Sequence, residues 1–128
     1  MLKAKDIMNP EVVTIQESAS VAEAIGLMKR NNVRALIVEP HDAEDAYGIV
    51  SEADIAYKVI ARIKDPKAVP VSEIMTKPCI VVNPDLTVEH VARLFANYHI
   101  HRAPIIKEKL LGLISITDII QQAMWWQG

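Results

Sequence analysis

Two stretches of this chain place a serine and an aspartate three positions apart where an apolar run gives way to a helical one: Ser51-Glu52-Ala53-Asp54 and Ser115-Ile116-Thr117-Asp118. Each follows a glycine and two apolar residues, Gly48-Ile49-Val50 and Gly112-Leu113-Ile114, that read as a short strand. A serine at such a junction meets unpaired backbone N–H groups and the positive end of the helix dipole, a setting that favours an anion such as phosphate. An aspartate in the first helical turn can accept two hydrogen bonds from a vicinal diol, as on ribose. Nucleotide binding is one chemistry this spacing permits. The other is purely local, because Ser-x-x-Asp is also a capping box that steadies the start of a helix.

The elements that must carry these turns emerge from self-similarity. A shift of 67 residues lays Asp6-Ile7-Met8 on Glu73-Ile74-Met75, and Val12-Val13-Thr14-Ile15 on Cys79-Ile80-Val81-Val82. The same shift superimposes the helical stripes Val21, Ala24, Ile25, Met28 and Val88, Val91, Ala92, Phe95. Their i, i+3, i+4, i+7 spacing puts four apolar side chains on one helix face. Ser20 with Glu23 predicts a capping box for the first helix, and Thr87 the N-cap of the second. The apolar runs Ala35-Leu36-Ile37-Val38 and Ala103-Pro104-Ile105-Ile106 follow as strands, with Pro104 at an edge or a strand start. Connections of nine residues (39–47) and six (106–111) lead to the serine turns, where the shift becomes 64 and four of eight positions are identical. Helices are expected over Glu52–Lys64 and Ile116–Gln122.

Each copy thus reads strand, helix, strand, strand, helix. The linker Asp65-Pro66-Lys67-Ala68-Val69-Pro70 divides them, giving a first repeat of 1–66 and a second of 67–128. Neither half is large enough to be comfortable alone. The expected fold is α+β: two intertwined β-α-β-β-α repeats packed sheet to sheet with pseudo-two-fold symmetry.

Composition narrows the function classes. With 128 residues, 14 basic and 16 acidic side chains and no basic run, nucleic-acid binding has little electrostatic support. The lone Cys79 precludes an intrachain disulfide framework and fits a reducing cytoplasm. No signal-like start or uncharged apolar stretch long enough for a membrane span is evident, so no membrane partner is expected. A nucleophile elbow, Walker loop and zinc-protease motif are all missing, and Cys79 lacks a neighbouring base, so no enzymatic role is expected.

The whole pattern resembles a tandem pair of cystathionine β-synthase (CBS) domains, the arrangement called a Bateman module. Asp6-Ile7-Met8-Asn9-Pro10, its echo Glu73-Ile74-Met75-Thr76-Lys77-Pro78, the His101-Arg102-Ala103-Pro104-Ile105-Ile106 strand and the Gly112–Ile119 turn carry the resemblance, which spans essentially the entire chain. It implies clefts that take AMP, ADP or ATP as ligand, with no separate cofactor, and association as a flat homodimer. In one cleft Asp118 would hold ribose, Ser115 and Thr117 would lie near phosphate, and Leu113 beside adenine. His101 and Arg102 would point toward phosphates, with Met8 to Val13 and the apolar wall Val33 contributed by the other repeat. The pseudo-symmetric cleft would use Asp54, Ser51 and Ile49 with Thr76, Pro78, Ile80 and Ile100; Arg34 stands where His101 does. Ala53 replaces the hydroxyl of Thr117, which ranks the Asp118 cleft first.

The resemblance implies a regulatory module acting in trans on an unidentified effector protein, as a sensor of energy or ligand status. The alternatives are a ligand-free dimerisation or scaffold module, or binding of S-adenosylmethionine or a divalent metal ion. No metal site is assigned from the residues. His99 and His101 alternate on a strand approach and face opposite ways, while His41 and His90 are expected in solvent. The acidic loop Glu39–Asp45 reads as a solvated turn. Trp125-Trp126 are expected to make a dimer contact.

Overall fold

The structure, a computed structural model, describes residues 1–122. Trp125 and Trp126, assigned above to a dimer contact, lie outside the described residues. In chain order the elements are α1 (Ala4–Ile7), β1 (Thr14–Ile15), α2 (Val21–Asn31), β2 (Ala35–Val38), β3 (Gly48–Ser51) and α3 (Glu52–Ile55), which runs into a π-helical turn, Ala56–Ile60. A 3₁₀ turn at Val71–Glu73 precedes α4 (Val88–Tyr98), β4 (Arg102–Lys107), β5 (Lys109–Ser115) and α5 (Ile116–Gln122). No helix among the described residues is long and apolar enough to cross a membrane.

The chain forms two compact units: Val13–Cys79, and Met1–Val12 together with the chain from Ile80 onward. These are not the halves that the Asp65–Pro70 linker divides, because each repeat lends its opening segment to the body of the other. Ala4 N donates to Leu86 O and Val71 N to Ala19 O, both at 2.8 Å; Lys5 N donates to Pro84 O and Ser72 N to Glu17 O, both at 3.0 Å. The shift of 67 residues relates each pair, so the exchange is part of the repeat.

Each unit has its own core. In Val13–Cys79, Val21, Ala24 and Met28 of α2 pack with Leu36, Val38 and Val50 of a three-stranded sheet ordered β1-β2-β3. In the other unit Val88, Val91 and Phe95 of α4 pack with Ala103, Ile105 and Ile114 of the β4–β5 hairpin. The swapped segments complete these cores with Val71 and Ile74 in one and Ala4 and Ile7 in the other. Burying one such aliphatic side chain is worth about 1.5–3 kcal/mol, against ~1 kcal/mol net for a backbone hydrogen bond. Burial therefore holds the exchanged segments, and the hydrogen bonds set their register.

Val21, Ala24 and Met28, and Val88, Val91 and Phe95, lie in the cores as the spacing placed them, whereas Ile25 is only partly buried and Ala92 is exposed. The details around the helices correct further expectations. Ser20 Oγ accepts from Glu23 N at 3.1 Å, whereas Thr87 Oγ1 pairs with His90 Nδ1 at 2.9 Å and leaves its helix without a side-chain cap. His99 is not on a strand: like Asn32 in the first copy it is a left-handed C-cap, with φ near 54° and 52°. Strand pairing aligns Ala35↔Ser51 with Arg102↔Ser115, so Ala35 corresponds to Arg102, in agreement with the shift of 67 that matches Arg34 with His101. The six-residue connection over 106–111 is instead a continuous hairpin that turns at Glu108, φ 67°. Cys79–Val81 form no strand; only Val82 bridges, in parallel, to Ile105. The helix expected over Glu52–Lys64 stops being α-helical at Ala56.

Candidate functional site

Both Ser-x-x-Asp turns are reciprocal capping boxes. Asp118 Oδ2 accepts from Ser115 N at 2.9 Å and from Ser115 Oγ at 3.0 Å, while Asp118 N donates to Ser115 Oγ at 3.2 Å. At the first copy the corresponding distances are 2.9, 3.1 and 3.2 Å. One carboxylate oxygen of each aspartate is therefore spent on holding the turn, and only Oδ1 remains for other work. Among the described residues Asp118 Oδ1 has no hydrogen-bond or ion-pair partner. Asp54 Oδ1 lies 3.2 Å from Lys58 Nζ, which also donates to Ile74 O at 2.9 Å.

Beside each turn runs the opening loop of the other repeat. Asn9 and Leu113 form an antiparallel bridge, N to O 2.9 Å in both directions, and Thr76 and Ile49 do the same at 2.9 and 3.0 Å. Glycine begins the last stretch before each serine because the loop comes so close. A Cβ on Gly112 would sit 2.7 Å from Met8 Sδ and 2.8 Å from Asn9 O; on Gly48 it would meet Thr76 O at 3.1 Å. The loops are thus pinned by backbone contacts that any larger residue at these glycines would disturb.

The residues singled out for the Asp118 cleft divide between the units. Asp118, Ser115, Thr117, Leu113, His101 and Arg102 share one unit with Asn9, whereas Val13 and Val33 belong to the other. Of the Asp54 set, Ser51, Ile49, Arg34, Thr76 and Pro78 share a unit with Asp54, whereas Ile80 and Ile100 do not. Arg34 O accepts from Glu52 N and His101 O from Ile116 N, both at 2.9 Å, so these two positions do correspond. The His101 side chain lines a groove of about 360 Å³ between α4 and α5, with Phe95, Ile100, Ile116 and Ile119. Asp118 and Ser115 are not among the residues lining that groove.

The acidic loop Glu39–Asp45 is tied to its own protein. Lys77 Nζ lies 2.5 Å from Asp45 Oδ2 and 3.4 Å from Glu17 Oε2, and His41, exposed as expected, also pairs its Nε2 with Glu17 Oε1. The Lys77 hydrogen bond, helped by the His41 and Ala46 backbone N–H groups, lowers the Asp45 pKa to about 2, and the same contact raises that of Lys77. Glu17, His41 and Asp45 bring ligand-type atoms within 4.8 Å of one another, but Lys77 already supplies positive charge there. Burial pushes the Cys79 thiol up to about 11, which removes it as a nucleophile near neutral pH. Lys58 carries no motif, and Lys77, although part of the Glu73–Pro78 motif, was given no role by the sequence. The i, i+4 spacing of Asp54 and Lys58 was the one signal available.

The family model described as CBS domain matches residues 4–61 and again 71–124. The CBS domain-containing protein YhcV of Bacillus subtilis is 31% identical over 125 residues, covering 97% of this chain and 87% of that protein. Among solved structures, a hexameric CBS-CP12 protein from bloom-forming cyanobacteria is 57% identical with a TM-score of 0.92, over 94% of this chain and 70% of that one. The CBS domain pair of protein MJ0100, in complex with 5′-methylthioadenosine and S-adenosyl-L-methionine, is 27% identical with a TM-score of 0.83, over 96% of each chain.

Proposed function

The chain belongs to the CBS-domain family, carrying the domain twice as a regulatory pair, and on that premise we propose that it binds an adenine nucleotide (AMP, ADP or ATP) and relays its level to an effector protein. The observation that carries this reading is Asp118. Its Oδ2 is saturated by Ser115, while its Oδ1 has no partner among the described residues and stands one short turn from the Asn9–Leu113 bridge. Two lone pairs on one ionised oxygen suit the two hydroxyls of a ribose. Leu113 supplies an apolar surface for the base, and the Thr117 hydroxyl, exposed on the same turn, suits a phosphate.

Regulation then works by differential binding. A ligand held by the Asp118 turn and the Asn9 loop bridges a repeat body and a segment lent by its neighbour, and so favours the arrangement in which both are in place. The module acts without chemistry of its own, in keeping with the raised thiol pKa of Cys79. Self-association belongs to the same reading. Tyr57, Ile60 and Ile63 in one unit and Ile116 and Ile120 in the other expose large apolar surfaces of the kind a second copy covers, as a homodimer or a larger ring.

Thermal melting with AMP, ADP and ATP tests the proposal. A ligand that binds only the folded chain adds about 2.7 kcal/mol at a concentration 100 times its dissociation constant, so the melting temperature climbs with ligand. An unchanged melting temperature at millimolar concentrations of all three would refute nucleotide sensing. A second reading, S-adenosylmethionine, draws on the complex of the MJ0100 pair. It shares the ribose contact but needs no phosphate site, and is favoured if S-adenosylmethionine shifts the melting curve where the adenylates do not.

A further inference from the structure

The two Ser-x-x-Asp turns are equal in sequence signature and unequal in what their aspartates have left to offer. Both spend Oδ2 on their serine. In the first copy the remaining oxygen is met by Lys58 Nζ at 3.2 Å, one helical turn farther along. The position equivalent to Lys58 under the shift of 64 is Gln122, which carries no charge. We propose that Lys58 is a built-in occupant that closes the Asp54 site, so that the chain has one working nucleotide site, at Asp118. The inference rests on the ribose-binding reading of Asp118 given above.

Three features support the closure. The ammonium is anchored from a second direction by the Ile74 carbonyl at 2.9 Å, so it is held over Asp54 rather than swinging freely. That carbonyl belongs to the second repeat's opening segment, which fixes Lys58 and the loop to one another. Displacement is also unfavourable in kind: a neutral sugar hydroxyl would have to replace a charge-assisted bond to the same oxygen. The side chain of Asp54 is 19% exposed and that of Lys58 41%, so the carboxylate end of the pair is partly shielded while the ammonium end stays open to water. Finally, Ala53 stands where Thr117 offers a hydroxyl, and nothing at that position compensates a ligand for losing Asp54.

Calorimetric titration of the full chain with AMP, ADP and ATP, each in turn, decides the matter. The unaltered chain should bind one equivalent per chain. Lys58→Gln, which installs the residue found at the equivalent place, should bind two, and adding Asp54→Asn should return it to one. Lys58→Arg keeps the ion pair and should stay at one, which guards against a general effect of altering the helix. Two equivalents in the unaltered chain, falling to one with Asp54→Asn, would overturn the closure while leaving nucleotide binding intact. Weaker binding in Lys58→Gln would also overturn it, by showing the lysine to be a ligand contact. No binding in the unaltered chain but one equivalent in Lys58→Gln would support the closure and sink the Asp118 reading. No binding in either would refute both.

Discussion

Asn9 and Leu113 lie almost a full chain length apart in sequence, yet they exchange two backbone hydrogen bonds of 2.9 Å. The bond pair fastens the first residues of one repeat to the strand that ends in the other repeat's Ser-x-x-Asp turn. Thr76 and Ile49 repeat the arrangement in the second direction. A ligand at either turn is therefore next to a segment borrowed from the neighbouring repeat.

Gly112→Ala should loosen that attachment. Its new methyl would meet backbone at Asn9 O, 2.8 Å away, and the loop must shift to admit it. Overpacking of this kind costs about 1–3 kcal/mol. Gly48→Ala meets its nearest atom at 3.1 Å and should cost less. Urea denaturation of the two variants checks the order, which an equal loss of stability would contradict.

The repeat, both helical faces and the nine-residue first connection were legible in the sequence because they rest on apolar periodicity and spacing. The strand register followed from the same spacing. Under the shift of 67 Ala35 falls on Arg102, as Arg34 falls on His101, and the hydrogen-bonded ladder gives the same correspondence. A slip of one residue exchanges the faces of a strand, so this decides where Arg102 points. The tight turn at Glu108 and the C-cap at His99 were hidden because each is a non-glycine residue at positive φ. The exchange of opening segments was expected from the resemblance, which gives intertwined repeats and puts Met8 to Val13 at the other repeat's cleft. Local pattern alone does not carry it, since a linker marks where chain density falls and not which body a segment packs on. Within the candidate site the Ser–Asp geometry was readable, and the lysine that distinguishes the copies was not, because a lysine four residues after an aspartate is common on any exposed helix.

The two serines should be separable as caps from any ligand role. Ser51→Ala and Ser115→Ala each remove an acceptor for the aspartate N–H at 3.2 Å. Each should cost about 1 kcal/mol of stability without ligand. Thermal melting of the unliganded variants measures this, and no loss in either would show that the boxes are not stabilising.

The Asp45–Lys77 contact predicts a defined acid dependence. The folded pKa of Asp45, about 2, lies below its ordinary 3.8, so its contribution is complete above 3.8 and disappears as the pH falls through about 2. The raised pKa of Lys77 means that the lysine's contribution is complete below its ordinary 10.5 and is lost only as the pH rises beyond that value. Carbon-detected NMR titration should find the Asp45 carboxyl titrating near 2, moving up toward 3.8 in Lys77→Met. An Asp45 that titrates at 3.8 in the unaltered chain would rule out the contact in solution.

Cys79 should be slow toward thiol reagents. With its pKa raised to about 11 by burial, almost no thiolate exists at pH 7. Alkylation by iodoacetamide should lag far behind that of a free cysteine at neutral pH and accelerate above pH 10. Modification at the rate of free cysteine at pH 7 would contradict the shift.

The claim that matters most is that Asp118 holds the sugar of an adenine nucleotide. Calorimetric titration of AMP, ADP and ATP into the unaltered chain, Asp118→Ala and Asp54→Ala measures it directly. Saturable binding of at least one adenylate is predicted, weakened at least tenfold by Asp118→Ala and much less by Asp54→Ala. Equal weakening by the two substitutions, or an affinity that Asp118→Ala leaves unchanged, would contradict the account.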